Sequence, residues 1–188
     1  MGTIKTTNIE TITGSGTLTL GQSGETISVP SGATLTVPSG GLSGQNYPAF
    51  YAHLSASQSV TNNTLTKAQI DSELFDTDGC YDNATNYRFT PTVAGHYFVT
   101  GCISGESGTN DSLACTSAIF KNGSYYTNHN FSSSAIFRRF PCMTTAVVYM
   151  NGSTDYIELF GIINSSGTPV EFNAGSNQTF FTAYRLGD

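Results

Sequence analysis

Charge is what this sequence has least of. Charged residues make up 11% of its 188 positions, against roughly 25% in ordinary globular proteins. Seven are Lys or Arg and 13 are Asp or Glu, for a net charge of −6. There is no basic run, which argues against a nucleic-acid partner. No apolar run approaches the roughly 20 residues of a helical membrane span, so membrane insertion is not expected. The four cysteines, Cys80, Cys102, Cys115 and Cys142, show no C-x-x-C spacing and make a poor zinc pattern. The histidines, His53, His96 and His129, are scattered, and neither H-E-x-x-H nor G-x-S-x-G occurs. Asp155 and Glu158 stand three apart in an extended segment and so face opposite ways. A glycan hydrolase needs two carboxyls facing each other about 5–9.5 Å apart. These absences make an enzyme the unexpected outcome. Met1-Gly2-Thr3-Ile4-Lys5-Thr6 lacks the apolar core of a signal peptide and meets the permissive N-myristoylation pattern. Synthesis in a reducing cytosol, with free buried thiols, is the expectation; a disulfide needs an oxidising exterior.

What fills the composition is Gly, Ser, Thr and Asn, which suit turns and strands better than helices. Aromatics at 12%, set in alternating patterns, argue against disorder. The N-terminal region repeats itself. Thr17-Leu18-Thr19-Leu20-Gly21 is followed by Thr26-Ile27-Ser28-Val29-Pro30 and Thr34-Leu35-Thr36-Val37-Pro38. Each unit alternates polar and apolar residues and is closed by a Gly- or Pro-containing turn, the pattern of a strand with one dry face. Burying two side chains such as Ile27 and Val29 yields only about 2–5 kcal/mol. Ordering the backbone of such a unit costs about 1–2 kcal/mol for every residue. A single copy loses that balance. Three copies wound on one axis, fusing the dry faces formed by Leu18, Leu20, Ile27, Val29, Leu35 and Val37, reverse it. The organisation expected is an anchor over residues 1–13, a β-stem over 14–41, a neck over 42–46 and a head over 47–188.

The head shows strand patterns at short spacing: Ala49–Leu54, Tyr87–Phe89, Gly95–Cys102, Leu113–Phe120, Ser134–Phe137, Ala146–Met150, Tyr156–Ile163, Val170–Phe172 and Gln178–Arg185. Asn122-Gly123 and Asn151-Gly152 are hairpin dipeptides. Only Leu65 to Leu74 has helical spacing. Many short strands over this length predict an all-β, antiparallel jelly-roll sandwich on a short intertwined trimeric β-stem.

Five segments, in order, resemble the globular-head family of complement component one-q, which shares the tumour-necrosis-factor jelly roll. They are Pro48 to Leu54; Tyr81, Asp82, Thr85, Phe89, Pro91, Gly95 and Tyr97; Ile119 to Gly123; Val147 to Leu159; and Thr179 to Leu186. The resemblance implies compact trimers, a core filled by Phe89, Tyr97, Val99, Phe180 and Phe181, Pro91 at a strand exit and Gly95 in a turn. It departs from the family at Asn86-Tyr87, where a Gly is usual, and at the cysteines. No collagen-type Gly-x-y stem precedes the head. Residues 2–40 instead resemble the N-terminal region of fibre and appendage proteins of marine tailed bacteriophages. The two resemblances together imply a non-enzymatic homotrimeric virion protein, a fibre, spike or decoration on the particle surface. It would be made in host cytosol, docked on a virion protein through its N-terminus, and would contact host-surface glycan or protein. A secreted lectin-like protein of the same head family and a glycan depolymerase are the alternatives.

Two residue groups stand out as sites. Tyr125, Tyr126, Asn128, His129 and Asn130 combine aromatics with hydrogen-bonding side chains, as sugar recognition requires. Asp76, Asp78 and Asp82 surround Gly79 and offer oxygens of the kind calcium takes, although the end of the loop lacks the EF-hand Glu; a solvated acidic turn uses the same residues. No other cofactor is expected. Arg138-Arg139 reads as a surface pair or as a partner for acidic groups on a neighbouring subunit.

Overall fold

The protein is described by a computed structural model that covers residues 28–34, 48–108 and 112–187, the side chains of residues 112, 113 and 136 excepted. The chain divides into two units, residues 1–43 and 44–188. In the first, residues 28–34 are exposed. Ala33 N–H donates to the Pro30 carbonyl at 3.0 Å, and Gly32 takes φ +86°, so the close of one repeat unit is a turn. Val29 is 45% exposed. Leu18, Leu20, Ile27, Leu35 and Val37 lie outside the described residues, as do the anchor and the neck.

Among its described residues the second unit has thirteen strands and no helix. In chain order they are β1 (Ala49–His53), β2 (Gln58–Ser59), β3 (Thr66–Lys67), β4 (Ser72–Asp76), β5 (Tyr81–Asp82), β6 (Arg88–Phe89), β7 (Ala94–Ser107), β8 (Ser112–Lys121), β9 (Ser124–Phe137), β10 (Arg139–Asn151), β11 (Ile157–Ser165), β12 (Val170–Phe172) and β13 (Phe180–Gly187). All pairings are antiparallel. One sheet, called A here, runs β2-β12-β7-β13-β1-β4, with β10 on the other edge of β7; the second, B, runs β5-β6-β11-β8-β9, with β3 also on β11. This is the predicted all-β antiparallel sandwich.

Period-two alternation builds the core. Tyr97, Val99 and Ile103 of β7, Val148 and Met150 of β10, and Ile157, Leu159 and Ile163 of β11 point between the sheets and are fully buried. Phe50 stacks on Tyr81 and Phe89 with centroids 4.5 and 4.6 Å apart, and Phe181 meets it edge-on at 5.3 Å. The expected core residues Phe89, Tyr97, Val99 and Phe181 are there. Phe180 is not: the parity that buries Phe181 turns its neighbour outward, where it stacks on Tyr51 at 5.3 Å.

Three local expectations change. Leu65 to Leu74 is not helical; it is β3, an irregular crossing and the start of β4, because β1 offers β4 an open edge and pairs Tyr51 with Phe75 and His53 with Ser72. Gly95 lies inside the start of β7 and not in a turn. Asn122-Gly123 is the expected two-residue hairpin, with φ of 53° and 72°, the doubly positive pair of a primed turn. Asn151-Gly152 is not: Asn151 stays in β10, and its Oδ1 accepts from the N–H groups of Ser153, Thr154 and Asp155, winding a longer loop around one side chain.

Candidate functional site

The outward faces of the two sheets differ in chemistry. On sheet A, strand register aligns residues from β1, β13, β7 and β10 into cross-strand rows. The first row is Ala49, Tyr184, Phe98 and Val147; the second is Tyr51, Thr182, Thr100 and Thr145; the third is His53, Phe180, Cys102 and Met143. Phe75 extends the second row across β4. None of these residues is Lys, Arg, Asp or Glu. Tyr184 and Phe98 are in contact at 5.5 Å, and next to them His96 meets Tyr149 at 5.4 Å. Phe75, Met143, Val147, Tyr149, Tyr184 and Leu186 are each about half exposed or more. His53 Nδ1, in the third row, is the one buried side-chain polar atom without a hydrogen bond among the described residues. Burial, and secondarily Cys102, pushes the Tyr51 hydroxyl above its ordinary pKa.

Sheet B presents the opposite surface. One row runs Asp82, Arg88, Glu158, Phe120 and Tyr125. Glu158 forms an ion pair with Lys67, whose ammonium also lies 5.7 Å over the Phe160 ring. Arg88 lies 4.4 Å over Tyr156. The buried Glu158 carboxylate is thus paired with an ammonium that is itself a third exposed. Uncharged rows that leave several large apolar side chains half exposed, as on sheet A, are suited to contact with a protein.

The structure places Tyr125, Tyr126, Asn128, His129 and Asn130 on β9 itself and not in a loop after the turn. A bulge sets Ile119 opposite Thr127 and Phe120 opposite Tyr125, so Tyr126 is the extra residue. Tyr125 is 55% exposed and rests edge-on against Phe120 at 5.5 Å. The Tyr126 hydroxyl donates to the Val147 carbonyl of β10 at 3.0 Å, and Asn130 Nδ2 donates to Thr116 Oγ1 at 2.7 Å. His129 turns the other way, its Nδ1 3.4 Å from Cys142 Sγ. Tyr125 and Asn128 keep free polar surface, while Tyr126, His129 and Asn130 are engaged within the fold.

The three aspartates serve three different turns. Asp76 accepts from the N–H groups of Asp78 and Tyr81 at 3.3 and 2.7 Å. Asp78 accepts from the Thr92 hydroxyl and from Cys80 Sγ. Asp82 accepts from Thr85 N–H at 2.8 Å, from the N–H groups of Ala84 and Asn86, and from Asn86 Nδ2; the Thr85 bond foremost, with the others and against burial, lowers its pKa to about 2. Among the described residues no three His, Cys, Asp or Glu side chains group as metal ligands. Arg138 and Arg139 both pair with Glu106 of their own chain and stay more than half exposed.

Solved structures with the same architecture give this arrangement a context. The chain superposes on Eiger TNF from S. frugiperda with a TM-score of 0.54 at 11% identity, over 77% of this chain and 95% of that one. It superposes on murine APRIL with a TM-score of 0.52 at 11% identity, over 73% and 98%. The head is a tumour-necrosis-factor-type jelly roll. The globular domain of zebrafish complement 1qA matches at 0.48 and 12% identity, over 74% of this chain and 96% of that one. No protein-family model and no curated protein matches the sequence. The likeness therefore lies in fold alone.

The aromatic face of sheet A was beyond sequence reasoning, because its rows draw on four strands from Ala49 to Tyr184. The only local trace is the outward alternation of Val147 and Tyr149, and of Tyr184 and Leu186.

Proposed function

We propose that this protein is a non-enzymatic homotrimeric virion appendage whose heads associate through the outer face of sheet A. Its N-terminal repeats would form the common shaft. One observation carries the reading: three aligned rows on sheet A hold no charged residue and leave Val147, Tyr184 and Met143 about half exposed, while a row of sheet B carries charge. Closing these rows of one copy against a neighbour removes apolar surface from water at about 25 cal/mol per Å², with no ion in the rows to strand. A closed ring of three satisfies every copy, and the repeats favour the same number. The outer face of sheet B, with Tyr125 and Asn128, is then the surface that looks outward to host glycan or protein. Three copies on one shaft would bind by multivalency.

Sedimentation of the full chain at micromolar concentration tests the assembly, and a trimer is expected. An antibody raised against the head and applied to particles purified from the producing lysate tests the location, and label on the particles is expected. A monomer in the first experiment, or label confined to the soluble fraction in the second, overturns the corresponding half of the reading.

A further inference from the structure

Tyr87 holds a backbone conformation that a bulky residue avoids. Its φ is +51°, in the left-handed region that Gly enters freely and that crowds the Cβ of any other residue against a carbonyl oxygen. The other non-Gly residues in that region, among those described, are Asn63 and Asn122, and a short amide side chain can offset the strain with local hydrogen bonds. A tyrosine cannot. The residue before it is clamped from two sides. Asp82 accepts from the N–H groups of Ala84, Thr85 and Asn86 at 3.1, 2.8 and 3.1 Å and from Asn86 Nδ2 at 2.6 Å. Lys67 Nζ donates to the Asn86 carbonyl at 3.2 Å. Backbone strain over-determined in this way clusters at ligand clamps and switch regions.

Tyr87 lines a cleft of about 340 Å³, within the range of small-molecule sites. Its other walls include Leu54 after β1, Gln58 and Ser59 of β2, and Gln69 and Asp71 between β3 and β4. The walls are cross-braced. Gln58 Nε2 donates to the Lys67 carbonyl, and Gln58 Oε1 accepts from Gln69 N–H, both at 2.9 Å. Asp71 accepts from the N–H and the hydroxyl of Ser55 at 2.8 and 2.6 Å. The Tyr81 hydroxyl donates to the carbonyl of Ile70, next to Asp71, at 3.1 Å. Two of the roughly four acceptor positions of the Asp71 carboxylate are thus taken, and among the described residues no cation pairs with it. The Tyr87 ring and the Gln69 amide have no hydrogen-bond or ring partner among the described residues.

We infer that this cleft binds a neutral sugar ring, stacked on Tyr87, with hydroxyls donated to Asp71 and exchanged with the Gln69 amide. The cleft is complete within one chain, so the inference goes beyond the assembly reading and stands without it. A pyranose has a face of C–H groups and a rim of hydroxyls that both donate and accept. An aromatic ring suits the face, a carboxylate accepts from the rim, and an amide does both. Of the residues lining the cleft, Asp71 alone is charged, so an acidic sugar or a phosphate would be repelled. An ammonium group would use the ring and the carboxylate and leave the Gln69 carbonyl and amide donors without a matched partner. Because Tyr87, Gln58 and Asp71 are braced in advance, little ordering is left for the ligand to drive.

Saturation-transfer difference NMR on the full chain tests this, with methyl glycosides of glucose, galactose, mannose and N-acetylglucosamine as millimolar probes. At least one should receive saturation, strongest on the C–H protons of one ring face. Glucuronate and acetyl-lysine amide, the anionic and cationic probes, should receive less. Asp71→Asn should weaken binding about tenfold or more, and Gln69→Ala by roughly threefold to tenfold. Tyr87→Gly should remove detectable binding and yet melt no lower than the wild type, because Gly suits that backbone. Tyr87→Phe, which keeps the ring, should retain binding. If Asp71→Asn fails to fold, the Tyr87 and Gln69 substitutions decide. No saturation of any neutral glycoside, a preference for glucuronate or the lysine amide, binding that survives Tyr87→Gly, or a Tyr87→Gly chain that melts far below the wild type would each overturn the inference.

Discussion

Tyr184→Asp places a carboxylate at the middle of the aromatic face. Tyr184 is 44% exposed and stands between Ala49 and Phe98 in the first row of sheet A. If that face closes on a neighbour, the exposed part of the ring, nearly half of the ~200 Å² a tyrosine offers, goes dry, worth about 2 kcal/mol. The substitution removes this and leaves a carboxylate in an interface that offers no cation, adding at least about 1 kcal/mol. Some 3 kcal/mol per copy is about 10 per trimer, or about seven powers of ten in the dissociation constant. The concentration of half-dissociation scales with the square root of that constant, so it rises by roughly a thousandfold or more. Sedimentation velocity at micromolar concentration should show the variant as a folded monomer, with its circular dichroism unchanged. Tyr125→Asp is the matched control: it is 55% exposed but lies on the outer face of sheet B, and it should leave the trimer intact. A Tyr184→Asp chain that stays trimeric at nanomolar concentration, or a Tyr125→Asp chain that dissociates in its place, would refute the choice of face.

Other consequences concern the head alone. Phe50→Ala removes a fully buried ring from a four-ring stack and should cost about 3–5 kcal/mol in urea unfolding. Lys67→Met leaves the Glu158 carboxylate, only 7% exposed, without its ammonium. Because Lys67 is itself a third exposed, the cost should be about 1–3 kcal/mol, below that of a fully buried pair. Adding Glu158→Leu should recover most of it, and an additive double mutant would contradict the coupling. Asp82 has a folded-state pKa of about 2, below the ordinary ~3.9, so its contribution is present above about pH 4 and lost as pH falls towards 2. Asp82→Ala should lower stability at pH 7 and flatten the acid limb of the stability curve, read by denaturation at stepped pH.

Strand content, sheet class and most core positions were legible because they are local. Alternation in Tyr97, Val99 and Ile103, or in Ile157, Leu159 and Ile163, announces a strand with an inner face wherever it sits in the chain. The first half of β9 was not legible. Ser124 to Asn130 is polar on both faces, since one looks to solvent and the other to the polar contacts of β10, so no period appears. The 65–74 segment misled for a related reason: β3 and β4 are short edge pairings, and edge strands need no sustained inner face. The receptor and calcium groupings were drawn from nearness in sequence. Strand geometry then turned His129 away from Asn128, and the turns around Asp76, Asp78 and Asp82 took up each carboxylate separately.

Identity of 11% with Eiger TNF and with APRIL, over nearly the whole length of those chains, means that this jelly roll is fixed by inward pattern and not by particular residues. Inward positions need only be apolar and of compatible volume. Outward positions are then free of the fold, and whatever distinguishes one such head from another has to be written there. In this chain the two outward faces are written oppositely: Asp82, Arg88, Glu158 and Lys67 on sheet B, and Phe75, Tyr51, Tyr184, Phe98 and Val147 on sheet A. A sheet that faced only water would gain nothing from leaving its central rows without a charge in a chain that carries 20 of them. The economical reading is that charge was kept off these rows because a stranded ion would weaken what covers them. Grafting Lys onto Thr100 and Thr182, the small central residues of the second row, puts this to the proof. Neither side chain fills the core, although Thr182 gives up its hydroxyl bond to the Phe50 carbonyl, so the head should still fold, while association should fail at low ionic strength and recover only in part at high salt. Association that survives the double substitution would show that the bare rows of sheet A have some other cause.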